Sequence, residues 1–230
     1  MNRGINAVFS DLGSAWCLKH IVWDWNGTLL DDFRITAEIA RRAVSLAGGP
    51  DLDNTSIRSA YTRPASDYLS ALTGRTVTES ELKGFNALYD QLYVPVMYRQ
   101  TLANDAIEAI DLAMLHGCGQ SILSMAPHGR LIKLLQHFGI HDRFKLVEGR
   151  TPGAPSYKTE RISSHLNRMG LTPKEVCLIG DTIEDYETAR LIGCQVVLVT
   201  TGMQSEDRLR STGALTRGSL FEAVVAALAK

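Results

Sequence analysis

A short apolar run that stops abruptly recurs along this 230-residue chain: His20 to Asp24, Gln120 to Ser124, Lys145 to Val147, Val176 to Asp181 and Gln195 to Thr200. Runs this short, with apolar residues at successive positions, fit strands covered on both faces, as in a parallel sheet. Parallel strands need long crossovers, and the intervening sequence supplies helical stripes. Ala106, Ile107, Ile110, Ala113 and Met114 form one; Leu131, Leu134, Leu135 and Phe138 a second; Ile162, His165, Leu166 and Met169 a third. Ile183 to Ile192 and Leu220 to Leu228 read as two more helices. Strand and helix alternate from about residue 104 onward, so the expected fold class is α/β, a doubly wound parallel Rossmann-like sheet.

Residues 34 to 100 break this rhythm. They hold no comparable β run and offer helices over Ile35 to Ala47, Asp67 to Leu72 and Glu79 to Tyr98, punctuated by Gly48-Gly49-Pro50 and Arg63-Pro64. A small helical unit over 33–100, inserted after the first core strand, is the economical description. The α/β core then comprises 1–32 and 101–230. With 45% hydrophobic residues the chain can bury one core and one small inserted unit.

Lys and Arg number 24 against 25 Asp and Glu. That balance supplies no surplus cations to grip nucleic acid or an anionic membrane, so the expected partner is a small molecule. No run reaches the roughly 18 apolar residues of a membrane span, and the first 20 residues lack the apolar segment of a secretory leader. Cys17, Cys118, Cys177 and Cys194 show neither C-x-x-C pairing nor a neighbouring His at metal spacing, which predicts buried free thiols and a reducing, cytoplasmic setting. A monomer or homodimer is expected.

Ligands of open α/β sheets bind outside the carboxyl ends of the strands. Here those ends present Asp24, Ser124 and Asp181, and Lys158 opens the helix before the fourth long run. Two carboxylates, a hydroxyl and an ammonium at one edge suit a phosphate held with a divalent cation. Hard oxygen ligands favour Mg²⁺.

The string Asp24-Trp25-Asn26-Gly27-Thr28-Leu29 resembles the first motif of the haloacid dehalogenase-type hydrolases, usually Asp-x-Asp-Gly-Thr. Ser124 resembles their second motif, Lys158 the third, and Gly180-Asp181-Thr182-Ile183-Glu184-Asp185 the acidic fourth, all in order. The helical insertion is similar to the small cap of the phosphoglycolate phosphatase-like branch. The resemblance implies an aspartyl-phosphate on Asp24. It implies Mg²⁺ held by Asp24, the backbone carbonyl of Asn26 and Asp181, with Asp185 acting directly or through water. Ser124 and Lys158 would bind phosphoryl oxygens, and Lys158 would keep two crowded carboxylates ionised. Trp25, Thr28 and Met125 flank these positions and are expected at the substrate. Of Trp23 and Trp25, one ring is expected in the core and the other at the pocket rim. Arg63, in the expected specificity loop, would meet a second anionic group. Asp31-Asp32 reads as a hinge and helix-start charge, and His128 as a helix-start residue.

Asn26 departs from the family, whose members usually place there the Asp that protonates the leaving oxygen and later deprotonates water. An amide does neither, and such help is worth about 10²–10⁴-fold. Three readings follow: a phosphatase whose leaving group departs unprotonated or whose proton carrier comes from elsewhere; a weakly active or inactive protein that binds a phosphorylated ligand; and, last, a 2-haloacid dehalogenase.

Overall fold

The computed structural model describes residues 18–229. Residues 1–17, with Cys17 and most of the first expected core segment, lie outside the described residues. Strand β1 (His20–Trp23) opens the sheet; β2 (Leu30–Asp31) follows and leads into helices α1 (Phe33–Leu46), α2 (Asn54–Ala60), α3 (Ala65–Thr73) and α4 (Glu79–Tyr93). A 3-10 turn (Val94–Arg99) and β3 (Thr101–Leu102) bring the chain back. Then come α5 (Ala106–Leu115), β4 (Gly119–Pro127), α6 (His128–His137), β5 (Leu146–Arg150) and α7 (Ile162–Asn167). The last elements are β6 (Val176–Gly180), α8 (Ile183–Ile192), β7 (Gln195–Val199), α9 (Glu206–Ser211), β8 (Leu215–Arg217) and α10 (Leu220–Leu228).

The main sheet has the order β5-β4-β1-β6-β7-β8 and every pairing in it is parallel. The chain leaves β1 for β4 on one side and later crosses to β6 on the other. The strand order therefore reverses at β1, where α/β sheets open a crevice for ligands. Both faces are covered: Ile21, Trp23, Ile122, Ile179 and Val199 belong to one large apolar cluster, and Val22, Leu123, Val176 and Leu178 to a second. Each such side chain contributes about 1.5–3 kcal/mol by leaving water, which fixes the register that aligns the strand ends.

Several elements differ from the sequence expectation, each for a physical reason. In α5 the buried face is Ala106, Ala109, Ile110 and Ala113, whereas Ile107 and Met114 are exposed, so Ala109 completes the stripe that Met114 was expected to close. The helix expected over Glu79 to Tyr98 ends at Tyr93 and continues as a 3-10 turn, because Pro95 has no N–H to give an α-helical bond. Helix α2 buries only Ile57 and carries no apolar stripe; it is marked by Asp53, whose side chain accepts from the N–H of Ser56. The strands β2 and β3 have two residues each and pair antiparallel, too short for periodicity to register. Cys118, Cys177 and Cys194 are buried. No helix among the described residues is long and apolar enough to cross a membrane.

Candidate active site

Strand β1 delivers Asp24, whose N–H still bonds to Ile179 O at 2.9 Å, and the chain then folds tightly so that the Leu30 N–H returns to Trp25 O at 2.8 Å. Gly27 makes that turn with φ of 75°, and a Cβ there would lie 2.4 Å from Asp181 Oδ2. Gly202, after β7, closes the same space: its Cβ would lie 2.0 Å from Asp181 Oδ2. Asp181 thus sits in a cradle that two glycines keep open. Its oxygens accept from Thr28 Oγ1 at 2.9 Å and from the Met203 N–H at 2.6 Å.

Lys158 is buried between two of the carboxylates, with Nζ 2.8 Å from Asp24 Oδ1 and 2.6 Å from Asp185 Oδ1. The Lys158 N–H donates to Glu184 at 2.9 Å, which anchors its turn to α8. Asp185 also caps α8, accepting from Thr182 Oγ1 at 2.6 Å through its second oxygen. Both oxygens of Asp185 are therefore engaged. Asp24 Oδ1 takes Lys158 and the Trp25 N–H at 2.6 Å, and its other oxygen meets no donor among the described residues.

The electrostatics follow from this packing. Burial pushes the Asp24 carboxyl up to about 6 against the pull of Lys158, with Asp185 adding to the rise. Burial, then Asp24 and Asp185, holds Asp181 well above the ordinary carboxylate range. Burial opposes the Lys158 ammonium, but Asp185, Asp24 and Glu184 outweigh it and raise its pKa. Ligand oxygens of Asp24, Asp181 and Asp185 lie within 4.8 Å of one another. Three carboxylates facing one ammonium leave a buried negative excess, and a hard divalent cation fits that donor set.

Asn26 and Asp32 form a pair that the sequence does not announce. Asp32 occupies the position before α1 but makes no capping bond; its carboxylate is wholly buried and turned towards Asn26. It accepts from Asn26 Nδ2 at 2.5 Å, from Tyr93 Oη at 2.9 Å and from the Gly27 N–H at 3.1 Å. Burial raises its pKa to about 6 against those bonds. Asp32 is thus not a solvated helix-start charge, and Asp31 lies exposed in β2. Tyr93 lies 61 residues away and no local signal reveals it.

The remaining expected site residues divide. Asp24, Asn26, Arg63, Ser124, Met125 and Lys158 line one cavity of about 570 Å³ between the sheet edge and the helical unit. Ser124 is buried and accepts from the Ala126 N–H at 3.1 Å. Arg161, which sequence reasoning missed, steadies this strand end by donating to Ser124 O at 3.0 Å and Gly149 O at 2.9 Å. Arg63 reaches in from the helical unit, 3.6 Å from Glu184. Two assignments change. Thr28 is fully buried against Asp181 and supports that carboxylate, and Trp25, although it lines the cavity, is no exposed rim ring but is buried and packed on Phe138 at 6.3 Å, as Trp23 is buried in the core. The strand alternation that predicted a rim ring ends at Trp23, one residue before Asp24. His128 does begin α6, and its Nδ1 accepts from the Gly149 N–H at 3.2 Å.

A family model described as haloacid dehalogenase-like hydrolase matches residues 18–193. The chain belongs to that family of hydrolases. Within it the chain stands in the phosphoglycolate phosphatase-like branch. It is 25% identical over 222 residues to the phosphoglycolate phosphatase of Chromobacterium violaceum, covering 89% of this chain and 94% of that one. It is 25% identical over 185 residues to that of Rhodobacter capsulatus, covering 79% and 84%. Among solved structures, a predicted phosphatase from Clostridium acetobutylicum superposes with a TM-score of 0.80 at 17% identity, covering 93% of this chain and 100% of that one. A haloacid dehalogenase-like hydrolase from Streptococcus pneumoniae gives 0.77 at 21%, covering 93% and 99%. At these identities the two structures speak for the fold alone.

Proposed function

We propose that the protein is a Mg²⁺-dependent phosphatase acting on a small phosphorylated compound through an aspartyl-phosphate on Asp24. The observation that carries this reading is the Asp24 carboxylate: one oxygen is pinned by Lys158 at 2.8 Å and by the Trp25 N–H at 2.6 Å, and the other meets no donor among the described residues, at the edge of a cavity. The free oxygen attacks phosphorus, the bond to the leaving oxygen breaks, and the electron pair departs with the leaving group. Lys158 and Ser124 bind phosphoryl oxygens. Water then attacks phosphorus and the Asp24 carboxylate is released.

Asp24, Asp181 and the backbone carbonyl of Asn26 would hold Mg²⁺, with Asp185, itself held by Lys158 and Thr182, acting directly or through water. The bound ion supplies charge neutralisation between phosphate and carboxylates. Asn26 cannot protonate a leaving group, so the substrates best turned over are those whose leaving group departs as a weakly basic anion, such as acyl phosphates, phosphoanhydrides or aryl phosphates. The relatives' name makes phosphoglycolate the first alkyl phosphate to compare. Arg63 in the cavity wall suits a second anionic group on the substrate. The helical unit over 33–100 acts as a cap on this site.

The test is turnover of phosphoglycolate, acetyl phosphate and p-nitrophenyl phosphate with Mg²⁺ or EDTA. Wild-type activity should need Mg²⁺ and favour the last two, and Asp24→Asn should bring it to background. Wild-type rates in Asp24→Asn would eliminate the covalent route. A protein that binds these phosphates without turnover would satisfy the second reading, which the Asn26 amide favours.

A further inference from the structure

The Asn26 amide has two chemically different ends, and its surroundings distinguish them. Nδ2 donates to Asp32 Oδ2 at 2.5 Å and lies 3.4 Å from Tyr93 Oη. Tyr93 itself donates to the same Asp32 oxygen at 2.9 Å, and the Gly27 N–H reaches the other at 3.1 Å. Three donors converge on one buried carboxylate, which serves as an acceptor only. An amide oxygen turned towards it would set two acceptors against each other, so the amino end is held inward. Oδ1 has no hydrogen-bond partner among the described residues, and Asn26 lines the cavity beside Asp24, Ser124 and Lys158. The ring of Tyr93 is braced in turn, stacked on Tyr89 with centroids 5.1 Å apart.

We propose that Asp32, together with Tyr93, is a positioning residue that holds Asn26 with its amide oxygen towards the reaction space, where it orients the water that hydrolyses phosphorylated Asp24. This rests on the reading of Asp24 as nucleophile. In-line displacement places the leaving group of the first step and the water of the second on the same side of phosphorus, opposite Asp24. Asn26 stands two residues after Asp24 and borders that space. In the hydrolytic step the water oxygen bonds to phosphorus, the bond from phosphorus to the Asp24 oxygen breaks, and its electron pair returns to the carboxylate. One water proton moves to a phosphoryl oxygen and the other stays on the new hydroxyl, so the product leaves as H₂PO₄⁻. Asn26 accepts a hydrogen bond from the water throughout and takes no proton. Asp32 touches neither water nor phosphate.

The two half-reactions provide the test. With p-nitrophenyl phosphate, kcat/KM reports only the steps up to nitrophenolate release, whereas kcat falls when hydrolysis of the intermediate slows. Tyr93→Phe, which keeps the ring, and Asp32→Asn should lower kcat by about 10–100-fold, the scale of a misplaced reacting group. Both should leave kcat/KM within about twofold and produce a burst of nitrophenolate. General distortion of the site would lower kcat and kcat/KM together, and that result in Tyr93→Phe would overturn the proposal even if Asp32→Asn fails to fold. Unchanged kcat in both variants would overturn it equally. The Asn26 side-chain amide provides an independent readout by NMR: slow hydrogen exchange in wild type, accelerated in both variants. Turnover with a rapidly exchanging wild-type amide would overturn the positioning role alone. A slowly exchanging amide in a wild type without turnover would overturn the phosphatase reading and the water role together.

Discussion

At the scale of single residues, the pairing of Asn26 with Asp32 determines what substitution at position 26 does. Asn26→Asp alone would set a second carboxylate where Nδ2 now lies 2.5 Å from Asp32 Oδ2. Two carboxylates so close share one proton, and Asp32 is already raised to about 6 by burial. A raised folded-state pKa contributes stability when the group is protonated and loses it as pH rises through that pKa. The single variant should therefore lose thermal stability relative to wild type progressively above about pH 6. The exchange Asn26→Asp with Asp32→Asn restores one donor against one acceptor. It should raise kcat/KM for alkyl phosphates by up to about 10²–10⁴-fold, with a smaller gain for p-nitrophenyl phosphate, whose phenolate departs without a proton. Equal gains on both substrates would show that acid catalysis was not the missing component. Asn-Gly sequences deamidate, so peptide mapping at Asn26 belongs with the assay. A second residue-scale expectation concerns Gly202. An Ala there would press a methyl group 2.0 Å from Asp181 Oδ2. Gly202→Ala should weaken Mg²⁺ binding in calorimetry at least about tenfold, since a displaced ligand oxygen forfeits tight coordination distances.

At the scale of elements, the strands of the core were legible because the middles of β1, β4, β6 and β7 are covered on both faces and so carry apolar residues at successive positions. Their ends gave away Asp24, Ser124 and Asp181, since a polar residue after such a run has nowhere to go but the sheet edge. Asp32, Tyr93 and Arg161 were illegible because their roles depend on partners from other elements. Another network of that kind joins β1, β4, β5 and α7 beneath the site. Ser121 Oγ lies 2.9 Å from both His20 Nε2 and His165 Nε2, and His165 Nδ1 pairs with Glu148. His20, Ser121 and His165 are all buried. Burial first, then Lys145 and His165, lowers the His20 pKa from 6.5 to about 4, and burial lowers His165 as well. The native network thus binds protons less readily than the unfolded chain. The stability it contributes is complete above pH 6.5 and is lost as pH falls from 6.5 towards 4, on the order of 3 kcal/mol for His20. Chemical denaturation of wild type and His20→Gln between pH 4 and 8 checks this. The variant should be less stable at pH 8, with the gap narrowing towards pH 4; a constant gap would show that His20 does not titrate with folding.

At the scale of the whole molecule, the helical unit is joined to the sheet through two crossings, and these run side by side as the β2–β3 pair, Leu30 opposite Leu102 and Asp31 opposite Thr101. The run of helices α1 to α4 was legible from the break in strand rhythm between 34 and 100. Its docking was not, because the groups that meet across the gap come from distant loops. Gln204 Nε2 donates to Tyr61 O at 2.9 Å, Arg208 donates to Ser59 O at 2.9 Å, and Arg130 pairs with Asp90 at 2.6 Å. Arg58 reaches Thr200 O and Thr201 O only at 3.4 Å each. Met203 packs with Phe33 and Tyr68 of the helical unit, and Ile39, Tyr93 and Met97 of that unit share the large core cluster with Trp25, Leu29 and Leu134. Contacts of this polar, partly exposed kind are individually worth about 1 kcal/mol or less. A narrow two-strand connection, with polar and partly exposed ties joining α2 and its following loop to the sheet side, lets that part of the helical unit hinge. Ligands that bridge the gap should favour the closed arrangement by their differential affinity for it. Mg²⁺ with orthovanadate, an analogue of the transferring phosphoryl group, would be gripped by Lys158 and Ser124 from the sheet and faced by Arg63 from the helical unit. Hydrogen exchange in α2 and the loop over 61–64 should therefore slow on adding both, whereas β1, β4 and β6, buried in either arrangement, should not respond. Arg208→Ala removes one tie across the gap. It should speed exchange in α2 of the free protein and leave the protection reached with vanadate nearly intact, because the ligand then supplies the bridge. Equal exchange in α2 with and without the ligands, in wild type and variant alike, would mean that the helical unit is fixed to the sheet and that substrates enter and leave by the open side of the cavity.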